Sequence, residues 1–202
     1  MKKLLFTLLF PLLVFSQEIK NNLINPFDKW YIGGEIGTNT ITSFDFGSNK
    51  SFQGGVLVEY YTGRNWSLSA RIKYFKTGVV NKVNSSIGIF NGAVISMPLN
   101  IKWEYRVWKN FSGNLKLGVA LNKEIKSNYN YPLNERTNYA AFYGTFNPGF
   151  GLNYFISNKT AIYIDYEVYV LGNNRDEGWV IILPNSPNNN LFNLGIKYNF
   201  KK

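Results

Sequence analysis

The chain has 202 residues, of which 45% are hydrophobic, 17% aromatic and 17% charged, and its formal net charge is +10. A chain of this size can bury the core of one domain. Cysteine and histidine are both absent, which excludes a disulfide framework, a thiol nucleophile, a zinc cluster and any site that needs a histidine base or ligand. Most enzyme classes are therefore disfavoured, and the sequence predicts neither a cofactor nor a metal.

The N-terminal residues have the pattern of an export signal. Lys2 and Lys3 precede a nearly continuous apolar run over 4–15, and Ser16 stands at a cleavage position before Gln17. The run is too short for a membrane-spanning helix and is typical of a secretory signal peptide. We therefore expect a signal peptide at 1–16, a periplasmic N-terminal segment at 17–29 and one folded unit at 30–202.

Apolar and polar residues alternate with a period of two along the rest of the chain, which predicts β-strands. In 66–74, for example, Trp66, Leu68 and Ile72 share one face, whereas Arg71 and Lys73 share the other. A tilted strand needs about ten residues to cross hydrocarbon. Eight segments of about this length are predicted, at 30–39, 52–61, 66–74, 95–106, 115–122, 142–155, 162–170 and 192–200.

The predicted connections alternate in length. Short ones fall at 62–65, 107–113 and 157–159, and long ones, rich in Asn, Gly and Ser, fall near 40–51, 76–93, 123–141 and 171–190. After Ser16 the longest apolar run is 179–183, so only a closed barrel could cross a bilayer. The sequence thus predicts an all-β fold, an eight-stranded antiparallel up-and-down transmembrane β-barrel, with turns on one side and loops on the other.

The two faces of the predicted strands differ in chemistry. The apolar faces are crowded with aliphatic and aromatic residues, which suits an outer surface in lipid. The polar faces carry acidic and basic residues in nearly equal number, which suits a filled interior where buried charges are paired. We predict a structural charge network in the lumen formed by Glu35, Glu59, Arg71, Lys73, Lys102, Glu104, Arg106, Lys116, Asp165, Glu167 and Lys197.

Within that network, Asp165 and Glu167 are the one candidate acid/base pair, since they lie two apart on one strand face. The alternative interpretation is an ion network with Arg71, Lys73 and Lys102, and it is the one we favour. No catalytic residues are predicted.

Large aromatic residues fall near the ends of the predicted strands, as in the two interfacial belts of membrane proteins. One belt is predicted at Trp30, Tyr60, Trp66, Trp103, Tyr105, Tyr154, Tyr198 and Phe200. The other is predicted at Phe52, Tyr74, Phe142 and Phe192.

A family resemblance rests on the Gly-rich aromatic strands, the run over 95–105 that contains Met-Pro-Leu, and a terminal segment ending at Phe200. The chain resembles the small outer-membrane β-barrel family of Bacteroidetes-type bacteria, the PorT-like group, over roughly 30–200. It is also similar in strand count to OmpA- and OmpX-type barrels. The resemblance implies a non-enzymatic protein of the outer membrane that is inserted by the barrel-assembly machinery. Some members of the group assist protein secretion. Lys201 and Lys202, after Phe200, depart from the terminal pattern.

The excess positive charge is expected in loops and turns. The basic residues are scattered singly, which argues against a nucleic-acid partner. If both termini are periplasmic, the long loops face outward and meet lipopolysaccharide and other outer-membrane lipids. The predicted outer-loop residues are Lys76, Lys82, Lys123, Lys126, Arg136 and Arg175.

The predicted role is structural or an interaction role, for which secretion and envelope integrity are the candidate processes. A protein partner could bind at the outer loops, where 179–183 is apolar. Two other functions stay open at this point. One is a soluble periplasmic lipocalin-like ligand-binding barrel, and the other is a narrow ion-conducting channel.

Overall fold

The computed structural model describes residues 25–42, 49–83, 86–130, 142–171 and 188–200. This part of the chain forms nine β-strands. They are β1 (Trp30–Thr42), β2 (Asn49–Tyr61), β3 (Trp66–Val83), β4 (Ser86–Trp108), β5 (Phe111–Asn130), β6 (Phe142–Phe146), β7 (Gly149–Phe155), β8 (Thr160–Leu171) and β9 (Asn188–Asn199). The predicted signal peptide, Arg136, Arg175 and the apolar run at 179–183 lie outside the described residues.

The strands form one closed antiparallel ring. β1 to β4 each pair with the next strand along the chain. β6 and β7 pair with β5 on one side and with β8 on the other. β8 pairs with β9, and β9 pairs with β1, which closes the ring. Each strand position of the described residues has a partner on both sides, which is the condition for a β-structure inside hydrocarbon. The predicted up-and-down topology is confirmed.

The sixth position of the ring is divided at Asn147 and Pro148. β6 and β7 both pair with β5 on one side and β8 on the other, with no residue inserted in the register. Proline has no N–H to give to the ladder, so the strand is interrupted there although the chain direction continues. The ring therefore has eight strand positions, as predicted from the sequence.

Strands extend into two of the predicted long loops. β3 continues to Val83 and β4 begins at Ser86, with paired residues through the region predicted as the loop 76–93. β5 likewise continues to Asn130. The amphipathic pattern fades there, but Val, Ile and Thr favour extended backbone and the hydrogen-bonded ladder continues. The prediction that these residues lie in loops is wrong for Lys76, Lys82, Lys123 and Lys126, which lie on strands.

The two faces are placed as a membrane barrel requires. Outward residues such as Ile36 and Leu117 are 59% and 56% exposed, whereas inward Glu59 and Lys73 are 0% exposed. A soluble barrel has the opposite order. No helix of the described residues is long and apolar enough to cross a membrane.

The aromatic residues gather at two levels on the outer surface. At the end with the short turns, Trp30 stacks on Tyr60 with ring centroids 4.7 Å apart, and Trp66 is paired with Trp103. At the other level, Phe52 and Phe192 both lie opposite Thr38 of β1. These levels match the interfacial belts of a membrane barrel.

Candidate functional site: the charged lumen

Ten charged side chains from seven strands meet inside the barrel. They are the inward residues Glu35, Glu59, Arg71, Lys73, Lys102, Glu104, Lys116, Asp165, Glu167 and Lys197, and each is at most 4% exposed. Five are basic and five are acidic, so the set is neutral. Because an unpaired buried ion is costly, the pairing within this set determines whether the interior is stable.

The first group, here the Arg71 cluster, joins β1, β3, β5 and β8. Its members are Arg71, Lys73, Lys116, Glu35, Asp165 and Glu167. The Arg71 guanidinium contacts all three carboxylates: Nη2 lies 2.7 Å from Asp165 Oδ2, Nη1 donates to Glu167, and Nε lies 3.6 Å from Glu35. The planar fork of arginine allows this division among several oxygens.

The two lysines of the Arg71 cluster complete its charge balance. Lys73 Nζ lies 2.7 Å from both Glu35 Oε1 and Glu167 Oε2. Lys116 Nζ lies 2.6 Å from Asp165 Oδ2 and 2.7 Å from Glu167 Oε1. Every carboxylate thus contacts at least two cations, which ties strands on opposite sides of the ring together.

The second group, here the Glu59 cluster, joins β2, β4 and β9 and lies nearer the short turns. Its members are Glu59, Glu104, Lys102 and Lys197. Lys102 Nζ and Lys197 Nζ each lie 2.7 Å from a Glu59 oxygen, and 3.6 and 3.9 Å from Glu104 Oε1. Lys102 was predicted to pair with Asp165 and Glu167. That prediction is wrong, because the stagger of the strands places Lys102 beside Glu59 and Glu104.

Neutral donors complete the coordination of the Glu59 cluster. The Tyr61 hydroxyl donates to Glu104 Oε1 at 2.6 Å, and Asn153 Nδ2 donates to the same oxygen at 2.9 Å. The Ser112 hydroxyl donates to Glu104 Oε2 at 3.1 Å, and the Ser67 hydroxyl donates to Glu59 Oε1 at 2.6 Å. These groups come from β2, β3, β5 and β7, so this cluster is also braced around the ring.

Inward glycines provide the space for the long charged side chains. Gly55 lies opposite both Glu35 and Lys73, and a Cβ there would lie 2.7 Å from Ile72 O and 3.0 Å from Lys73 Cγ. A Cβ at Gly149 would lie 3.0 Å from Lys116 Cε. Gly55 and Gly149 are therefore packing positions next to the ion pairs.

Apolar side chains close the interior above and below the charges. Toward the turns, Tyr31, Tyr61, Phe155 and Ala161 form a buried group. Toward the loops, Phe75, Val94, Ala120, Tyr169 and Leu191 form another. The charged side chains between these two groups are at most 4% exposed, so they leave little water-sized space in the lumen at the level of both charge clusters.

These interior aromatics were not among the predicted site residues. Tyr31, Tyr61 and Phe155 look like members of the apolar surface by type alone. Their positions in the period-two pattern were the available signal, because Tyr61 falls on the face of Glu59 and Phe155 on the face of Asn153.

The remaining predicted residues lie outside the two clusters. Arg106 is half-buried, with Cζ 4.9 Å from the ring centroid of Phe155. Lys76, Lys123 and Lys126 are exposed on the loop-side parts of β3 and β5. Lys123 Nζ lies 5.0 Å from the ring centroid of Phe142.

The charged groups of the lumen contact one another and neighbouring neutral donors. Asp165 and Glu167 contact Arg71 and Lys116 on their buried oxygens, so neither is open to a substrate. In the described parts of the chain, no group of three or more acidic, histidine or cysteine residues could hold a metal ion.

Comparison with solved structures finds barrels of similar fold. OprG from Pseudomonas aeruginosa matches with a TM-score of 0.58 and 11% identity, over 89% of this chain and all of that one. Neisserial surface protein A matches with a TM-score of 0.55 and 13% identity, over 85% and 97% of the two chains. Ail, the attachment invasion locus protein of Yersinia pestis, matches with a TM-score of 0.52 and 13% identity, over 86% and 99%.

Identities this low show the fold alone. A comparison with curated proteins found no matching sequence. The family evidence comes from the profile of the outer membrane protein beta-barrel domain, which matches residues 6–200. That match covers the whole ring, and the outward apolar surface and the filled lumen agree with it. The chain belongs to the outer membrane protein beta-barrel domain family and is a protein of the outer membrane.

Proposed function

We propose that the protein is a non-enzymatic outer-membrane barrel with a structural or interaction role, whose lumen does not conduct. The observation that carries the proposal is the neutral, fully buried charge network across the barrel. An eight-stranded barrel has an interior just wide enough for its own side chains, and here ion pairs and aromatic groups occupy it. The scaffold thus supports loops and lipid contacts rather than transport.

Planar-bilayer recording tests the closed lumen. We expect purified protein, reconstituted at high density, to give no steps in conductance above the bare bilayer. Glu59→Ala with Lys102→Ala removes side-chain volume from the lumen and serves as the control that the recording can detect an opened barrel. Steady conductance by the unmodified protein would favour the narrow-channel alternative and contradict the proposal.

We also propose that both termini and the short turns are periplasmic and that the long loops face outward. An even number of strand positions places both ends of the barrel on one side, and an exported barrel inserts from the periplasm. Exposed Lys76, Lys123 and Lys126 then lie toward the outer leaflet, where lipopolysaccharide is anionic. Ail, a barrel of similar fold, has been solved in complex with the heparin analogue sucrose octasulfate, so polyanion binding has a precedent in this fold.

Thiol labelling tests the orientation, because the chain has no native cysteine. Asn130→Cys lies at the loop end of β5, and Asn158→Cys lies in the short turn between β7 and β8. An impermeant maleimide on intact cells should label the first variant and leave the second unlabelled until the outer membrane is opened. The reverse pattern would overturn the orientation and the proposed lipopolysaccharide contacts.

We propose that this barrel serves a process of the cell envelope. A PorT-like role in secretion and a general role in envelope integrity both fit a closed scaffold with outward loops. Deletion of the coding sequence separates them: loss of exported proteins with unchanged detergent sensitivity favours secretion, and the opposite result favours integrity.

A further inference from the structure

The outer surface of the barrel contains an apolar groove of about 1030 Å³ that crosses β1 to β6. Its walls include Leu68, Leu99 and Leu117, and Ala70 leaves a gap between larger neighbours on the outward face of β3. The volume is at the upper end of the range for sites that hold small molecules, about 300–1,000 Å³. A groove of this size in a surface that faces lipid is suited to an apolar chain.

One end of the groove reaches the aromatic belt at the short turns. Trp30, Tyr60, Trp66 and Trp103 all line it there. Rings of this type sit at the level of lipid headgroups. A molecule in the groove would therefore have its apolar part in the membrane interior and its other end at the interface.

Two basic residues flank the interface end of the groove, on the segments that lead into β1 and β3. Exposed Arg64 lies in the turn two residues before Trp66, and the neighbouring Asn65 carbonyl accepts a hydrogen bond from Glu104 N on β4 at 2.7 Å. Lys29 directly precedes Trp30, and its carbonyl accepts from Tyr61 N at 3.1 Å. Both cations are thereby held on backbone that is bonded to the strands that line the groove.

Basic residues outnumber acidic residues at this end of the barrel. The described residues of the N-terminal approach and the turns contain four cations, Lys29, Arg64, Lys109 and Lys159, against one anion, Asp28. Asp28 Oδ1 accepts a hydrogen bond from the Tyr60 hydroxyl at 2.9 Å. A net positive rim next to an apolar groove complements a molecule with a long apolar part and a negatively charged head.

We propose that this groove binds one anionic glycerophospholipid, with its acyl chains along the apolar walls and its phosphate between Arg64 and Lys29. This inference rests on the proposed orientation, because turns on the periplasmic side place the groove mouth in the inner, phospholipid leaflet. Lipopolysaccharide lies in the other leaflet. A second copy of the barrel is disfavoured as the occupant, because two parallel barrels would bring their basic rims together.

Native mass spectrometry of the purified, detergent-solubilised protein tests the site. Titration with dioleoylphosphatidylglycerol should give a species with one retained lipid, at concentrations at least tenfold below those needed for dioleoylphosphatidylethanolamine. Each interfacial cation contributes about 1 kcal/mol. Lys29→Gln with Arg64→Gln should therefore weaken retention of phosphatidylglycerol about 30-fold, which corresponds to about 2 kcal/mol.

Two matched controls separate this site from general surface charge and apolarity. Lys159→Gln removes an exposed cation of the same rim, in the β7–β8 turn away from the groove, and should change retention less than twofold. Ala70→Trp fills the groove and should reduce retention about tenfold, whereas Leu152→Trp, outward on β7 and outside the groove, should leave it unchanged. Heat-modifiable mobility on gels shows that each variant is folded.

Equal retention of the two lipids, equal losses from Lys159→Gln and Arg64→Gln, or a dimer without lipid would each overturn the proposal. The labelling of Asn158→Cys in intact cells is read beside the lipid titration. Normal labelling with no lipid preference overturns the lipid site alone. Reversed labelling with a retained preference overturns the orientation and assigns the groove to the outer leaflet.

Discussion

The two interior charge clusters neutralise buried carboxylates with different sets of partners. In the Arg71 cluster three carboxylates contact three cations, and one guanidinium contacts all of them. Neutral donors there are Tyr163, which donates to Glu35 at 2.8 Å, and Asn114, which donates to Asp165 at 3.4 Å. In the Glu59 cluster two carboxylates share two lysines and also accept hydrogen bonds from Tyr61, Ser67 and other neutral groups. Both clusters are neutral and buried. In the second, each lysine contacts both carboxylates, whereas in the first only Arg71 contacts all three.

This difference indicates how each cluster should respond to the loss of one member. A buried carboxylate that loses its cation keeps its desolvation cost unless another donor remains. The Arg71 cluster has few neutral donors to replace the guanidinium, whereas the Glu59 cluster has several. The following variants test this contrast by urea unfolding in detergent micelles, followed by tryptophan emission.

Arg71→Ala should have the largest effect. It leaves Glu35, Asp165 and Glu167 with Lys73 and Lys116 as their cations, so one negative charge is buried in excess. We expect unfolding free energy to fall by about 3–5 kcal/mol. Arg71→Lys should recover part of the loss, because it restores the charge but not the fork. Arg64→Ala, an exposed arginine in a turn, should change stability by less than about 0.5 kcal/mol. Equal effects at Arg71 and Arg64 would show that the interior charges face water.

Glu59→Ala should have an intermediate effect of about 2–3 kcal/mol. Lys102 and Lys197 lose their 2.7 Å partner but keep Glu104 at 3.6 and 3.9 Å. Glu59→Gln, which keeps the volume and an oxygen for Ser67, should lose less than Glu59→Ala. A loss larger than that of Arg71→Ala would contradict the proposed difference between the clusters.

Tyr61→Phe should have the smallest effect, about 1 kcal/mol. It removes one hydrogen bond to Glu104 and one from Lys197, at 2.6 and 2.8 Å, but leaves the ring in its contact with Tyr31. Asn153 and Ser112 still donate to Glu104. The double variant of Tyr61→Phe and Glu59→Ala should lose more unfolding free energy than the sum of the two single variants. Each substitution removes contacts on which the remaining members of the cluster depend. Strict additivity would mean that the hydroxyl is not part of the cluster.

The strands and their orientation could be predicted because each rests on a local pattern. Alternation along 66–74 places Arg71 and Lys73 on one face whatever the neighbouring strands do. The same alternation places the predicted charged residues, apart from half-buried Arg106, at buried interior positions. The strand ends could not be predicted, because the apolar face ends at the membrane boundary while the backbone ladder of β3 and β4 continues beyond it.

The sequence alone determined the period-two pattern, the polarity of each face and the near balance of interior charge, since all three depend only on residue type and on the alternation of side chains along a strand. The tertiary structure decided which charges meet. Lys102 pairs with Glu59 across β3, and Arg71 reaches Asp165 and Glu167 on β8 across the lumen. Those contacts depend on the tilt and stagger that close the ring. That closure also brings together the residues of β1 to β6 that line the outer groove, which no single strand contains.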